Sequence, residues 1–247
     1  MTRSSPKLEW RNVTKRFGDV TVLDRLSLSV EAGRSMVIIG GSGQGKSVMV
    51  KLALGLVAPD AGKVLLDGRG LPGFGGRLQR RLLSRSGVLF QSAALFDSLT
   101  VWENVAFRLI NADGVSRKAA RVRALDALAR VRLDVVVADA FPSDLSGGMQ
   151  KRVGLARAIA ADPDVLFFDE PTTGLDPITA TAINDLIVDQ VKRLGCTAIS
   201  ITHDLASARR IGDQIAMLHE GAIVWQGAPG ELDQTSNPHV RAFVDGG

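Results

Sequence analysis

The sequence predicts an α/β fold with a mainly parallel sheet, an antiparallel β subdomain and an inserted helical subdomain. Short apolar runs indicate buried strands, and helical patterns follow most of them. These runs lie at 36–39, 87–90, 164–168 and 197–202. Residues 7–33 instead alternate between apolar and polar side chains and break at Phe17-Gly18-Asp19, which is typical of antiparallel strands. Residues 92–160 are dominated by helix-forming patterns.

The composition allows a substantial core and excludes several classes of protein. The chain has 247 residues, of which 45% are hydrophobic and 23% charged, so one large domain is expected rather than disorder. The net charge of +4 does not indicate a nucleic-acid partner. Cys196 is the single cysteine, so neither a disulfide nor a cysteine-based metal site is expected. The sequence shows no secretory signal pattern and no apolar run near the ~20 residues that span a bilayer. We therefore expect a soluble protein, or one attached to a membrane only through a partner.

The stretch GGSGQGKS at 40–47 carries the strongest chemical signal. It fits the phosphate-loop pattern G-x-x-x-x-G-K-[ST], and it lies between a buried strand and a helical pattern, as that motif requires. Glycines let backbone N–H groups close around phosphate oxygens, and the helix start adds unpaired N–H groups. We expect Lys46 to reach the β- and γ-phosphates of ATP, and the Ser47 hydroxyl to bind Mg²⁺. The predicted nucleotide contacts are Gly40, Gly41, Ser42, Gly43, Gln44, Gly45, Lys46, Ser47 and Val48. The alternative is a glycine-rich turn before an ordinary helix.

A second glycine-marked helix start lies at Ser146, Gly147 and Gly148. An apolar-periodic helix follows it and stops at Asp162-Pro163. The motif has a hydroxyl and exposed N–H groups, the physical properties of an anion site, but no lysine. A capped helix after a loop is the other interpretation, and this segment alone does not decide between them.

Polar side chains follow three buried strands at their carboxyl ends, where α/β sheets place ligand contacts. Gln91 follows the first of these strands, Asp169 and Glu170 the second, and His203 the third. Adjacent carboxylates at the end of a buried strand are costly unless a positive group lies nearby, and a magnesium nucleotide supplies one. We expect Asp169 to hold the metal and Glu170 to polarise the attacking water. The alternatives are an exposed acidic pair and a histidine with an ordinary surface or core position.

Two other features have more than one interpretation. Phe17 ends the first strand, and its ring could stack on adenine. The other interpretation is a half-buried strand aromatic, and the position of Phe17 alone favours this second interpretation. The stretch 69–86 contains five arginines and no acidic residue. It indicates a solvated surface helix, or a surface that faces acidic partner groups or lipid headgroups. The arginines are Arg69, Arg77, Arg80, Arg81 and Arg85.

The order and spacing of these motifs resemble the ATP-binding subunit of ABC transporters along nearly the whole chain. GGSGQGKS resembles its phosphate loop, and LSGGM at 145–149 resembles its signature motif. VLFFDE at 165–170 resembles its Walker B segment with the catalytic glutamate. Gln91 corresponds to the Q-loop glutamine, GLD at 174–176 resembles the D-loop, and His203 corresponds to the switch histidine.

The resemblance implies a P-loop NTPase fold of the ABC ATPase type that occupies 7–243 as a single domain. Its α/β core is expected at about 7–91 and 161–230, and its helical subdomain at about 92–160. A short C-terminal helix and tail are expected at 231–247. Two copies are expected to associate head to tail, so that each ATP lies between the phosphate loop of one copy and the signature helix of the other.

The resemblance also assigns roles to individual residues. The implied catalytic residues are Glu170, His203 and Gln91, and the implied metal ligands are Ser47, Gln91 and Asp169. Phe17 corresponds to the adenine-stacking aromatic. Ser146, Gly147 and Gly148 are implied to complete the nucleotide site across the dimer, and Asp176 is an implied nucleotide contact.

Within this family, the segment at 90–107 resembles the ATPase of maintenance-of-lipid-asymmetry (Mla) transporters; it reads FQSAALFDSLTVWENVAF. Four other segments resemble the same group, namely SGGMQKR, GLDPI, THDLASA and HVRAFVDG. That resemblance implies phospholipid transport between the inner membrane and periplasmic carriers, powered from the cytoplasmic face of a bacterial inner membrane. The implied partners are an integral membrane permease, an anchored periplasmic lipid-binding protein and, in some members, a small cytoplasmic regulator. Some members continue beyond RAFVDGG with a tail that grips the neighbouring subunit, and the sequence leaves open whether such a contact forms here.

Two other functions stay open from the sequence. The first is the ATPase of another ABC importer, for amino acids or metal chelates. The second is a soluble ABC-type ATPase that acts on ribosomes or DNA and has no membrane partner. Proteins of the second kind usually carry two ATP-binding domains or a long coiled-coil insertion, and this sequence shows one phosphate loop and no such insertion.

Overall fold

A computed structural model of the protein describes residues 6–71, 79 and 83–246. The chain divides into two compact units, one comprising Met1–Leu83 with Thr197–Gly247 and the other Ser84–Cys196. Three residues of the arginine-rich stretch, Arg77, Arg80 and Arg81, lie outside the described residues, so both interpretations of that stretch stay predictions. Within the described ranges, no helix combines the length and apolar character that crossing a bilayer requires.

The described chain contains ten strands and seven α-helices, numbered here in chain order. The strands are β1 (Leu8–Phe17), β2 (Val20–Val30), β3 (Ser35–Ile39), β4 (Ala61–Leu66), β5 (Arg69–Gly70), β6 (Ser86–Leu89), β7 (Val165–Asp169), β8 (Thr197–Thr202), β9 (Gln214–His219) and β10 (Ala222–Gly227). The helices are α1 (Lys46–Ala53), α2 (Val101–Asn111), α3 (Arg117–Arg130), α4 (Gly147–Ile159), α5 (Pro177–Leu194), α6 (Leu205–Ile211) and α7 (Pro238–Asp245). Short 3₁₀ helices lie at Val135–Asp139, Pro142–Asp144 and Pro229–Glu231.

The first unit contains the antiparallel β subdomain that the alternating pattern predicts, with strand order β2-β1-β4-β5. Along β2, buried and exposed residues alternate from Leu26 to Val30, so one face of the strand packs inward. Trp10 of β1 is fully buried, and its Nε1–H donates to the carbonyl oxygen of Met49 in α1 at 3.3 Å. The subdomain is therefore anchored to the helix that follows the phosphate loop.

The first unit also places β10, β9, β3 and β8 side by side in that order. β3 runs parallel to β8 and β9, with Ile39 opposite Thr202 on one side and Met217 on the other. Every residue of β3 and β8 is buried, as continuous apolar runs predict. Because parallel strands end at the same edge, the phosphate loop and His203 leave these two strands at neighbouring positions.

In the second unit, β6 and β7 run parallel, with Leu89 opposite Phe168. Helix α4 packs very closely on β6, since a Cβ on Gly87 would lie 2.0 Å from the carbonyl oxygen of Ala158. All residues from 92 to 160 are described, and none of them lies in a strand.

Asn104 organises the segment that leads from Gln91 into α2. This residue is fully buried, and its Nδ2 donates to the carbonyl oxygens of Phe96 and Leu99, both at 3.0 Å. Its Oδ1 accepts the N–H of Phe96 at 2.8 Å. The amide of Asn104 therefore bonds backbone groups of the loop before α2, which lie outside any helix or strand and have no partner from regular secondary structure.

Candidate active site

The phosphate loop closes around the side chain of Lys46. This residue is only 8% exposed, and its Nζ donates to the carbonyl oxygens of Gly40 at 2.7 Å and Gly41 at 2.9 Å. Gly40 has a φ of +151°, and a Cβ there would lie 2.4 Å from the carbonyl oxygen of Leu218. Glycine is therefore required at this position for both its conformation and its packing.

The loop offers backbone N–H groups where a phosphate would approach. The N-cap of α1 is Gly45, which brings no side chain to compete for the N–H groups of the first turn. Gly41, Ser42, Gly43 and Ser47 are exposed. A helix start of this kind, with a lysine ammonium beside it, has the donor set that a polyphosphate requires.

His203 and Phe17 lie on the same unit as the phosphate loop. His203 is exposed and directly follows β8. Because β8 pairs with β3, the strand that leads into the phosphate loop, His203 lies near the start of that loop. The next residue, Asp204, caps α6 by accepting the N–H groups of Ala206 at 3.0 Å and Ser207 at 3.2 Å. The Phe17 ring is 49% exposed, and the Lys15 Nζ lies 5.3 Å from its centroid. Such an exposed ring is free to stack on a planar ligand, as adenine stacking requires.

In the second unit, Gln91 and Glu170 are joined by a buried lysine that the sequence interpretation missed. Lys151 of α4 is 5% exposed, and its Nζ donates to the main-chain carbonyl oxygens of Gln91 and, at 3.4 Å, of Glu170. Burial lowers the pKa of Lys151, and the negative charges of Asp169 and Glu170 oppose that shift. In the sequence, this lysine appears only as one polar position on an apolar-periodic helix.

Glu170 is held in an uncommon backbone conformation immediately after β7. Its φ is +48°, a value that non-glycine residues adopt rarely. The Thr173 hydroxyl donates to Glu170 Oε2 at 3.1 Å and so orients the carboxylate. Asp169 is the last residue of β7. The predicted metal ligand and the predicted base thus leave one strand end as neighbours.

The second unit also carries a cleft of about 630 Å³ at the start of α4. Its lining includes Ser146, Gly147 and Gly148 from one helix start and Asp176 with Thr179 from the start of α5. Arg132 and Arg152 add positive charge to the lining. The structure therefore brings together the signature motif, which was predicted to face the nucleotide of a second copy, and the D-loop residue Asp176, which was predicted to contact nucleotide.

Both helix starts at this cleft are capped by side chains. Ser146 Oγ accepts the N–H of Met149 at 3.4 Å. Asp176 Oδ1 accepts the N–H groups of Ile178 and Thr179, each at 3.0 Å, and its Oδ2 accepts the Thr179 hydroxyl at 2.6 Å. These bonds, led by that of the Thr179 hydroxyl, lower the pKa of Asp176 and keep its carboxylate charged.

Comparison with known proteins matches this chain to ATP-binding proteins of transport systems. A family model described as "ABC transporter" matches residues 23–173. The intermembrane phospholipid transport system ATP-binding protein MlaF of Escherichia coli K12 is 36% identical over 245 residues, which cover 97% of this chain and 88% of MlaF. The glycine betaine/proline betaine transport system ATP-binding protein ProV of Salmonella typhimurium is 42% identical over 222 residues, which cover 89% of this chain and 55% of ProV. Because these relatives belong to different transport systems, they do not determine a substrate.

A solved structure gives the same class. It is the dimeric post-hydrolysis state of the ATP-binding cassette MJ0796 bound to ADP and Pi, and it matches with a TM-score of 0.81 and 31% identity, covering 90% of this chain and 98% of that one. The predicted fold class is confirmed.

Proposed function

Since the chain belongs to the ABC transporter family and is an ATP-binding, ATP-hydrolysing enzyme, we propose that it powers phospholipid transport through an integral membrane permease. The lipid would move between the inner membrane and periplasmic carriers. We place the protein peripherally on the cytoplasmic face of a bacterial inner membrane, in an assembly with an anchored periplasmic lipid-binding protein. A small cytoplasmic regulator, present in some members of the resembled group, would be a further partner.

The extent of the match to MlaF is the observation that carries the lipid assignment. It covers 97% of this chain and 88% of MlaF, whereas the match to ProV leaves almost half of ProV uncovered. The match to MlaF therefore extends over a larger share of both proteins than the match to ProV does. The segment at 90–107, which resembles Mla ATPases, supports the same assignment.

The proposed chemistry assigns each site residue one task. Lys46 and the backbone N–H groups of the phosphate loop bind the phosphates, and the Phe17 ring stacks on adenine. Ser47, Gln91 and Asp169 would supply the hydroxyl, amide and carboxylate oxygens that Mg²⁺ prefers, and a bound Mg²⁺ would supply charge neutralisation at the phosphates. Glu170 accepts a proton from the attacking water, and His203 assists at the γ-phosphate.

We propose that two copies close head to tail over two ATP molecules. The cleft at the start of α4 supports this arrangement, because it gathers capped helix starts and two arginines without the lysine of a phosphate loop. Such a surface can complete an anion site that is formed mainly by another copy. MJ0796, whose dimer contains ADP and Pi, is a related cassette that assembles in pairs.

The proposed route to the permease runs through Gln91 and residues 92–108. Phe96 and Phe107 expose 45% and 36% of their surfaces, and their ring centroids lie 4.5 Å apart. The bonds of Asn104 hold Phe96 in place. An exposed aromatic pair on a well-ordered loop suits docking to a partner protein.

The alternative proposal is an ATPase for another importer, such as one for amino acids or metal chelates. The 42% identity to ProV favours it, because that value exceeds the identity to MlaF. A soluble ATPase without a membrane partner remains the third possibility raised by the sequence.

Reconstitution tests the proposal. The genes next to this one are examined for a permease and an anchored lipid-binding protein. The protein is co-expressed with those found, and the purified complex is placed in vesicles that contain a fluorescent phospholipid. We expect ATP-dependent movement of the lipid and none with a Glu170→Gln complex. Movement of betaine, an amino acid or a metal chelate without lipid movement would establish the alternative.

A further inference from the structure

The turn between β9 and β10 lies against the phosphate loop. Its two residues, Glu220 and Gly221, have φ values of +46° and +77°, which match a type I′ hairpin turn. The ladder closes with His219 opposite Ala222, so the N–H of Glu220 falls outside it. That N–H donates instead to Gln44 Oε1 at 2.6 Å. The side chain of Gln44, in the phosphate loop, thus accepts the Glu220 N–H, which has no acceptor within the hairpin ladder.

A second contact joins the same two segments. A Cβ on Gly40 would lie 2.4 Å from the carbonyl oxygen of Leu218, near the end of β9. The loop therefore packs on the hairpin at its first residue, Gly40, and is hydrogen-bonded to it at Gln44. Between these points lie Gly41, Ser42 and Gly43, which have little side chain to restrain them.

The C-terminal helix supports the hairpin from elsewhere in the same unit. The rings of His219 and His239 of α7 are in contact, with centroids 4.1 Å apart and planes tilted by 34°. Asn237, the N-cap of α7, donates from Nδ2 to the carbonyl oxygen of Val224 in β10 at 2.9 Å. Val240 is fully buried, so α7 is a packed part of the unit.

We propose that Gln44 is a positioning residue that fastens the phosphate loop to the β9–β10 turn, and that α7 supports this attachment through the contact between His239 and His219. The inference rests on the proposed role of the loop in binding nucleotide. A loop fastened at Gln44 is already ordered, so ATP binding loses less conformational entropy. Gln44 acts on the phosphates through the loop, and Glu170 performs the chemistry, so the attachment affects ATP affinity more than turnover.

The first experiment replaces Gln44 by methionine, which has a similar length but no oxygen acceptor. For Gln44→Met, we expect the Kd and KM for ATP to rise about threefold to tenfold, the range that one neutral hydrogen bond supports, with a smaller change in kcat. Gln226→Met is the matched control, because Gln226 of β10 donates to Gln214 and does not contact the loop. Equal ATP affinity in wild type and Gln44→Met would overturn the inference, whereas a wild type that does not bind ATP would overturn the proposed function itself.

The second experiment tests the contribution of α7 with two variants of similar size. His239→Phe keeps a ring against His219 and is expected to retain wild-type affinity. His239→Leu removes the ring and is expected to raise the Kd for ATP about twofold to threefold, a modest loss of packing. In the Gln44→Met background, His239→Leu should have no further effect, because the attachment is already lost. Additive effects of the two substitutions would show that α7 does not act through Gln44 and would overturn this part of the proposal.

Discussion

The ammonium group of Lys151 donates a hydrogen bond to the main-chain carbonyl oxygen of Glu170 at 3.4 Å. The same Nζ donates to the carbonyl oxygen of Gln91. One buried cation on α4 therefore links the loops that carry two predicted catalytic residues. Since α4 begins at the cleft that contains Ser146, the same helix carries both a nucleotide-contacting motif and this link.

Lys151→Met is expected to lower kcat for ATP hydrolysis by roughly tenfold to a hundredfold. The substitution removes the shared donor, so the loops at Gln91 and Glu170 lose the bond that fixes their relative position, and small displacements of catalytic groups are costly. Lys192→Met, at an exposed position of α5, is the control. Steady-state ATPase assays measure the effect, and an unchanged kcat would mean that the link has no catalytic role.

Lys46→Ala is expected to weaken ATP binding by about tenfold to a hundredfold, because charge-assisted hydrogen bonds to phosphate are lost. Its buried Nζ donates to two loop carbonyl oxygens, so the substitution also removes bonds that hold the loop in shape. A fluorescence titration with a nucleotide analogue measures the Kd. Wild-type affinity in this variant would contradict the phosphate-loop assignment.

Glu170→Gln is expected to keep ATP binding and to reduce turnover by about a hundredfold or more, the usual contribution of a general base. The amide retains the size of the side chain and can still accept the Thr173 hydroxyl. With hydrolysis blocked, ATP should trap a dimer that size-exclusion chromatography detects. Normal turnover would refute Glu170 as the base.

Gly148 and Gly147 form a matched pair for a packing test. A Cβ on Gly148 would lie 2.8 Å from Thr179 Cγ2, whereas one on Gly147 would meet no atom within 4 Å. Gly148→Ala is expected to lower the free energy of unfolding by about 1–2 kcal/mol, because Thr179 is held by its bond to Asp176 and cannot move freely. Gly147→Ala should be neutral or slightly stabilising.

The double variant Gly148→Ala/Thr179→Ser should recover most of the stability that Gly148→Ala loses, since serine lacks Cγ2 but keeps the hydroxyl. Urea denaturation compares the four proteins. A stability loss that Thr179→Ser does not restore would mean that the steric explanation is wrong.

The capping box of α2 predicts an acid-sensitive contribution to stability. The pKa of Glu103 is lowered from its ordinary value of 4.5, first by the Thr100 N–H and then by the Thr100 hydroxyl and Arg117. A lowered folded pKa means that this stabilisation is complete above 4.5 and is lost as the pH falls through the folded value.

Glu103→Ala should therefore cost about 1 kcal/mol near pH 7, a typical value for a helix cap, and much less near pH 3. Asp126→Ala, at an exposed position of α3, is the control. Urea denaturation at both pH values measures the difference. An equal cost at both values would show that the charge of Glu103 does not stabilise the cap.

The comparison of Lys46 with Lys151 shows how much of the candidate site the sequence could predict. Lys46 was found because its loop is a local pattern of eight residues with a known geometry. Lys151 was missed because its carbonyl partners lie 60 and 19 positions away, and a helical pattern does not reveal them. The short helix α6 was missed for a related reason, since seven residues carry too little periodicity to stand out.

By itself, the sequence determined the antiparallel strands at 7–33, the four buried apolar strands, the main helices and the motifs at the strand ends, because apolar periodicity and glycine spacing are properties of neighbouring residues. Only the tertiary structure decided that Gln44 accepts a hydrogen bond from Glu220, 176 positions away, and that the rings of His219 and His239 meet. It also decided that the Ser146 and Asp176 motifs line one cleft. These contacts depend on how distant segments pack, and no short stretch of sequence contains that information.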